Sequence, residues 1–315
     1  MNSERSDLPR HPIRVVSRRT GLTPAVLRAW EKRYGVVDPG RSEGGQRLYS
    51  DDDVRRLSLL RKSVEEGRAI SQVARLSMQE LEGLVKEDEA ERLGSAGREV
   101  LHSSTAGEVL ALAERAVREL DPHRLERLLM RSAMSLPVIT VLDEVVVPLL
   151  SSIGNSWREG RVGPGHEHLA TVQIRRFLEW LLETISRTDS APVMVTATAA
   201  GERHELGALL SAVSGAAEGW KVVFLGPDLP AEEIALAALR LEAQVVGLSA
   251  VDPGAAEVLP GELRGLRSRL PARVRVFVGG SVQVLRNGSL GVEGVEVLGS
   301  LGELRGRLRD LRREG

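Results

Sequence analysis

From about Pro192 onward the apolar residues of this chain stop following a helical period and gather in five short runs. These are VMVTAT (193–198), KVVFLG (221–226), QVVGLSA (244–250), VRVFVGG (274–280) and VEVLG (295–299). Each is β-branched and too short for a helix, and helical patterns or longer polar stretches separate them. Continuous apolar strands of this kind are buried on both faces, as in a parallel sheet covered by helices. The alternation predicts a doubly wound domain of five parallel strands, flavodoxin-like, over residues 190–315. Such a sheet places ligands in the loops at the carboxyl ends of its strands.

Upstream the texture differs. Residues 106–188 are almost wholly helical in pattern. Leu110, Leu112, Ala113, Ala116 and Leu120 form one apolar stripe, and Leu125, Leu128, Leu129 and Ala133 form a second. Longer helices near 136–159 and 165–187 follow. Four helices with such stripes bury them as a four-helix bundle. Residues 78–105 are rich in Glu, Ser and Gly with a weak period and read as a helix tail and linker. Residues 11–77 alternate short helical patterns with turn signals. At 315 residues the chain has room for these several domains, an α and α/β multidomain protein.

The chain has no cysteine, which excludes disulfides and thiolate metal sites. No apolar run reaches the roughly 20 residues that span a bilayer. The N-terminus, MNSERSDLPRHP, lacks the apolar core of a secretory signal. A soluble, cytoplasmic protein without a membrane partner is expected. The net charge of −1 hides an asymmetry. Residues 1–77 hold sixteen Lys/Arg against ten Asp/Glu, a net of +6, so the remainder sums to −7. A basic head on an acidic body suits a polyanionic partner for the head.

That head contains IRVVSRRTGLTPAVLRAWEKRYGVV. A short helix, Val15 to Arg19, breaks at Thr20-Gly21. Thr23 then caps a second helix with Pro24 at its first position, and this helix carries Arg28, Lys32 and Arg33. The spacing is that of a helix-turn-helix, with Trp30 in the core. Pro39 to Tyr49 is a glycine-rich hairpin bearing Arg41 and Arg47. Ser50-Asp51-Asp52-Asp53 opens another helix with acids where its dipole favours them. A small helical domain with surface arginines has the same spacing, and the motif detail goes further. TGLTPAVLRAWEKRYG followed by PGRSEGGQRLYSDDDVRRL closely resembles the winged-helix DNA-binding domain of MerR-type transcriptional regulators, over about residues 12–76. The resemblance implies Arg19 and Arg28 at the recognition helix and Arg41, Arg47 and Tyr49 on the wing, gripping mostly phosphates. It also implies dimeric binding to inverted or direct repeats near a promoter. Gln46 departs from the usual His or Tyr.

Directly after the first apolar run, Glu202, His204 and Gly207 form E-x-H-x-x-G. Ser249-Ala250-Val251 ends the third run and Gly279-Gly280 the fourth. A lone strand-end histidine commonly caps a helix; here three strand-end loops converge on one edge. The pattern resembles the cobalamin-binding domain shared by methionine synthase and cobalamin-dependent mutases, with its D/E-x-H-x-x-G, S-x-L/V and G-G motifs. That resemblance implies His204 as the lower axial cobalt ligand in place of the cofactor's dimethylbenzimidazole. The displaced nucleotide tail would lie beside Gly207, Ser249, Val251, Gly279 and Gly280. A ligating imidazole is oriented by the hydrogen bond of its other nitrogen, and either Glu202 or Glu205 is spaced to accept it.

Within the helical region, SSIGNSWREGRVGPGHEHLAT carries Trp157 near a helix end, a Gly/Pro turn, and Glu167-His168 at the next helix start. Taken singly, Trp157 reads as core and His166 and His168 as N-terminal polar residues. Their spacing nevertheless sets an indole and polar groups around one helix–helix turn. With a MerR-like head, a helical bundle and a corrinoid-type domain in one chain, nearly all of residues 12–300 resembles the CarH family. Its members are adenosylcobalamin-dependent photoreceptor repressors, typically of carotenoid genes. The resemblance implies that Trp157, Glu167 and His168 enclose the 5′-deoxyadenosyl group. It implies a DNA-binding tetramer in the dark that falls apart when light cleaves the Co–C bond, and no enzymatic activity. One departure matters. Family members carry a histidine after the tryptophan, which takes the upper cobalt position after photolysis; here Arg158 stands there, and a guanidinium has no lone pair to donate. His166 and His168 are the nearby imidazoles. Two other functions remain open from sequence: a regulator sensing cobalamin or haem without light, and a component of a corrinoid-dependent enzyme, for which no substrate domain is present.

Overall fold

The computed structural model describes residues 8–42, 44–65, 68–94, 105–185, 190–282, 285 and 291–314. Residues 95–104 of the expected linker and 186–188 at the expected end of the bundle lie outside these. The chain divides into two compact units, Met1–Phe177 and Leu178–Gly315.

In the first unit, β1 (His11–Pro12) leads into α1 (Ile13–Thr20). Gly21, at φ 72°, takes the left-handed turn that redirects the chain into α2 (Pro24–Tyr34). Thr23 Oγ1 accepts from the Val26 amide at 3.4 Å, as its capping role predicts. The glycine-rich segment folds as β2 (Gly40–Arg41) and β3 (Arg47–Tyr49), antiparallel, with β1 completing a sheet ordered β1-β3-β2. α3 (Asp51–Glu65) starts on a reciprocal cap. The Ser50 amide donates to Asp53 Oδ2 at 2.8 Å, and the Asp53 amide donates to Ser50 Oγ at 3.0 Å. α4 (Ile70–Val73) and α5 (Met78–Gly94) follow. Val16, Leu22, Leu27, Trp30, Leu57 and Leu60 fill the small core, so Trp30 is a packing residue as expected.

The helical region comprises α6 (Ala106–Arg118), α7 (Pro122–Ser135), α8 (Val138–Val141), a π turn at Leu142–Val146, α9 (Val147–Arg158) and α10 (Pro164–Thr184). α8, the π turn and α9 form one continuous rod. The π turn has a local cause: Pro148 has no amide hydrogen to close an α-helical turn onto Glu144, and the Val147 amide reaches back to the Leu142 carbonyl instead. The second expected stripe is buried in full, but the first is not. α6 turns Ala106, Val109, Ala113, Ala116 and Val117 inward, while Leu110 and Leu112 are half-buried and Leu120 is exposed. Leu120 lies past the helix end at φ 53°, where the helical period no longer holds. By length and composition the rod Val138–Arg158 is apolar enough to cross a membrane. Val141, Leu142, Val145, Val146 and Leu149 line one fully buried face of it, and 33% of its most apolar stretch is buried. The head is tied to α7: the Thr23 amide donates to the Met134 carbonyl at 3.1 Å, and the Arg131 guanidinium donates to the Glu65 carbonyl.

The second unit is the doubly wound domain. It runs β4 (Val193–Ala197), α11 (Leu206–Ala217), β5 (Lys221–Phe224), α12 (Ala231–Arg240), β6 (Val245–Ser249), a 3₁₀ turn (Pro253–Glu257), α13 (Leu259–Arg269), β7 (Arg275–Gly279), β8 (Val295–Leu298) and α14 (Leu301–Glu314). The strands are parallel in the order β5-β4-β6-β7-β8, the flavodoxin-like arrangement. β6 is buried along its whole length, which explains why its run shows no polar alternation. From β4 the chain winds outward to β5 and then returns to the other side as β6. The carboxyl ends of β4 and β6 therefore flank the switch point where such sheets hold ligands.

Candidate functional site

His204 sits on the loop after β4, with 55% of its side chain exposed, and Glu202, two residues earlier, is 1% exposed. Their relation resolves the choice between Glu202 and Glu205. Glu202 Oε1 accepts from both the His204 amide and its Nδ1, each at 2.8 Å. Glu202 Oε2 accepts from the Val251 and Asp252 amides at 2.6 and 2.7 Å. One buried carboxylate thus takes four donors and joins the loops after β4 and β6 across the switch point. Because a carboxylate only accepts, Nδ1 carries the proton, and in the neutral ring Nε2 keeps its lone pair. Thr198 Oγ1 donates to the Glu202 carbonyl, and Asp228 Oδ1 accepts from the Gly201 amide at 2.7 Å, so the loop backbone is held as well. Glu202, His204 and Asp252 bring ligand atoms within 4.8 Å of one another. With both Glu202 oxygens already engaged by amides, the group orients an imidazole rather than forming a three-ligand cage.

The glycines of the motif mark close contacts. A Cβ on Gly207 would lie 2.1 Å from Ser249 Oγ. Gly280, at φ 135°, would place a Cβ 1.8 Å from the Ala250 carbonyl oxygen. The Ala250 amide in turn donates to the Gly279 carbonyl at 2.9 Å. Gly207, Ser249, Gly279 and Gly280 therefore come together at one sheet edge, with Val251 beside them through its bond to Glu202. The donor set fits a corrinoid: one imidazole whose Nδ1 is engaged and whose Nε2 is left for a metal, beside an edge where small residues pack closely.

Exchanging Glu202 for glutamine should show how much depends on that carboxylate. If the glutamine oxygen stays on the Val251 and Asp252 amides, its NH2 faces the imidazole and forces Nδ1 to accept, which moves the ring proton to Nε2. Metal affinity is then expected to fall about 10- to 100-fold. The fold should lose about 1–3 kcal/mol as an amide donor is left unpaired. Cobalamin titration and thermal melting measure the two effects; unchanged cobalamin affinity would refute the orienting role.

In the other unit, Trp157 is 52% exposed, one residue from the end of α9. The turn at residues 159–163 leads to Glu167, half-buried, and His168, exposed, in the first turn and a half of α10. Trp157 is thus not the core residue that a single-residue reading makes it. His166 is a capping residue: its Nδ1 accepts from the Gly163 amide at 3.2 Å. Arg158 donates through Nη2 to Asn155 Oδ1 at 2.5 Å and through Nε to the Gly154 carbonyl at 3.3 Å, folding back on its own helix.

In the head, Arg28 is exposed on α2, and Arg41 is exposed on β2, directly across the ladder from Arg47. Two expectations need correction. Arg19 is on the last turn of α1, not on the recognition helix, and its Nη1 lies 3.2 Å from Asp51 Oδ1. Asp51 also holds Arg10 and accepts from His11 Nε2 at 2.7 Å. Burial, then the nearby Arg19 and Arg10 charges, push the His11 pKa down. Tyr49 is fully buried and is not a surface contact. Its hydroxyl points to Glu31 Oε2 at 3.4 Å, and burial first, then the Glu31 charge, push its pKa up to about 12. Arg47 is only partly exposed, its Nε donating to both Glu31 oxygens at 2.9 and 2.8 Å. Motif reading passes over Glu31, and it takes Asp51 only as a helix-opening acid, not as the partner of Arg10, His11 and Arg19. The Trp30-Glu31 pair, inside a motif otherwise read for its arginines, is the available signal.

Comparison with known proteins follows the same division. Residues 12–80 match the MerR HTH family of regulatory proteins, and residues 110–182 and 192–300 match two B12 binding domain families. The HTH-type transcriptional repressor CarH of Myxococcus xanthus is 35% identical over 274 residues, covering 85% of this chain and 88% of that protein. The HTH-type transcriptional repressor CarA of the same organism is 32% identical and covers 85% of each. Among solved structures, the Methanosarcina barkeri monomethylamine corrinoid protein aligns with a TM-score of 0.55 at 15% identity, over 66% of this chain and all of that one, a likeness of fold.

Proposed function

The chain belongs to the CarH-type, MerR-family transcriptional repressors that carry a cobalamin-binding domain, and on that premise we propose that it is a light-gated repressor. It takes adenosylcobalamin, assembles as a DNA-binding tetramer in the dark, and releases its operator when light cleaves the Co–C bond. The observation that carries this reading is His204, an exposed imidazole at the sheet's switch point whose Nδ1 proton is committed to a buried carboxylate. When bound, the cofactor supplies a light-labile bond that no side chain offers. The chain's own residues do the rest. His204 holds the metal through Nε2 and Glu202 fixes its tautomer. Gly207, Ser249, Val251, Gly279 and Gly280 line the edge where the nucleotide tail would lie. Trp157, Glu167 and His168 receive the adenosyl group, which covers an indole otherwise exposed to water. The protein acts in the cytoplasm as a regulator rather than an enzyme, on carotenoid or light-stress genes. The direct experiment is the visible spectrum of the protein loaded with adenosylcobalamin, before and after green light, with its size measured in parallel. A spectrum that light leaves unchanged sinks the reading.

The DNA-binding half is tested separately. Arg28→Ala and Arg47→Ala should each weaken binding to duplex DNA while leaving cobalamin binding and assembly intact. For every phosphate no longer neutralised, the slope of log affinity against log salt should flatten by about 0.9. A double variant that binds like wild type at moderate salt would remove the winged-helix assignment.

A further inference from the structure

We propose that Glu31, an acid on the recognition helix, is a positioning residue for DNA binding that acts through Arg47. The proposal rests on the DNA-binding reading above and adds a residue to it. Glu31 is on α2 and Arg47 on β3, so their ion pair ties the helix to the hairpin. The manner of pairing is what matters. Arg47 engages the carboxylate through Nε alone, at 2.9 and 2.8 Å, and neither terminal nitrogen donates to a protein acceptor among the described residues. A guanidinium held by its Nε edge keeps both NH2 groups for a second acceptor, the fork geometry that matches a phosphate. Glu31 is itself held: its side chain is 18% exposed against 33% for Arg47, and the buried Tyr49 hydroxyl stands 3.4 Å from Oε2. An arginine anchored in this way has lost its rotamer freedom before DNA arrives, so binding need not remove it.

Bulk electrostatics and positioning predict opposite signs here, which makes the proposal easy to break. Glu31→Gln removes a negative charge from a head of net charge +6; by long-range attraction alone, binding to a polyanion should tighten. By positioning, it should weaken. The experiment is fluorescence anisotropy of the full-length, cofactor-loaded protein with a mixed-sequence DNA duplex, across a salt series, for wild type, Glu31→Gln, Arg47→Ala and the double variant. Positioning predicts roughly three- to tenfold weaker binding for Glu31→Gln and a salt slope reduced by up to about 0.9. In the Arg47→Ala background the Glu31 change should cost nothing further, because its route to DNA is gone. Tyr49→Phe, which keeps both charges and the buried ring, serves where Glu31→Gln folds poorly. Bulk charge predicts no change for it, and positioning predicts about a twofold loss. Tighter or unchanged binding by Glu31→Gln, or a loss that persists without Arg47, overturns the proposal. An Arg47→Ala variant that binds like wild type would instead overturn the hairpin's DNA contact, and the proposal with it.

Discussion

Replacing His204 with alanine should weaken cobalamin binding by about 100-fold or more, since even losing an outer partner of a metal-bound imidazole costs 10- to 100-fold. Cobalamin that still binds should keep its own benzimidazole on the metal. The reason is local. His204 is the histidine of the loop at the switch point, and the neighbouring groups that could approach a metal are the carboxylates of Glu202 and Asp252. Glu202 has its oxygens on three backbone amides and the ring it orients. Removing the ring frees one lone pair of a buried carboxylate but does not turn it toward the exposed side. Fold stability should change little, because the imidazole is more than half exposed while the amides that Glu202 satisfies remain in place. Spectral titration with cobalamin, alongside a melting curve, separates the two effects. Wild-type affinity with an unchanged base-displaced spectrum in the alanine variant would remove the central assignment. A large fall in melting temperature would mean that the ring has a structural part as well.

Much of this site is visible in sequence because its constraints are local. A strand that stops, a loop of small residues and a histidine before an apolar helix all lie within about fifteen residues, and Gly207 is glycine because Ser249 leaves no room for a Cβ. The five strands follow from the same short-range period. What is not legible depends on segments far apart in the chain. Glu202 and Glu205 both lie within two residues of His204, and what separates them is the pair of amides at Val251 and Asp252, some fifty residues on. Tyr49 reads as a wing residue from its motif, yet its side chain is fully buried and its hydroxyl reaches Glu31 on the neighbouring helix. The helix pattern itself puts Arg19 on the first helix, and only the family resemblance set it at the recognition helix; what the pattern does not give is its partner, an acid 32 residues away. On α6 the expected stripe holds for its alanines but not for its leucines, Leu110 and Leu112 being only half-buried. Ala113 and Ala116 are fully buried because small side chains admit a close neighbouring helix, and Leu120 has already left the helical period. Motifs report the residues that chemistry requires, whereas these partners are set by packing.

The other large effect is expected from light. On the proposed reading, illuminating the adenosylcobalamin form should dissociate a tetramer and release DNA, because loss of the adenosyl group would leave the indole of Trp157, which is exposed on its own helix, without an apolar cover. The aftermath should depend on Arg158, which stands where the family resemblance implies a histidine. Arg158 remains charged and is bonded to Asn155 and the Gly154 carbonyl, so it neither donates a lone pair nor swings freely. His166 is a poor substitute: while its Nδ1 accepts from the Gly163 amide, the neutral ring carries its proton on Nε2 and has no free lone pair there. His168, exposed and on the same helical turn, is the better candidate. The illuminated wild type should therefore show the spectrum of cobalt with a single protein imidazole, or acquire a second one slowly and only while His168 is present. Arg158→His should yield a fast and stable two-imidazole product. Light-state spectra of wild type, Arg158→His, His166→Ala and His168→Ala, with size measurements on each, decide the matter. A prompt two-imidazole spectrum in a variant lacking both His166 and His168 would refute the ligand argument. A tetramer that survives complete photolysis would show that the adenosyl group does not gate assembly, whatever ligand succeeds it.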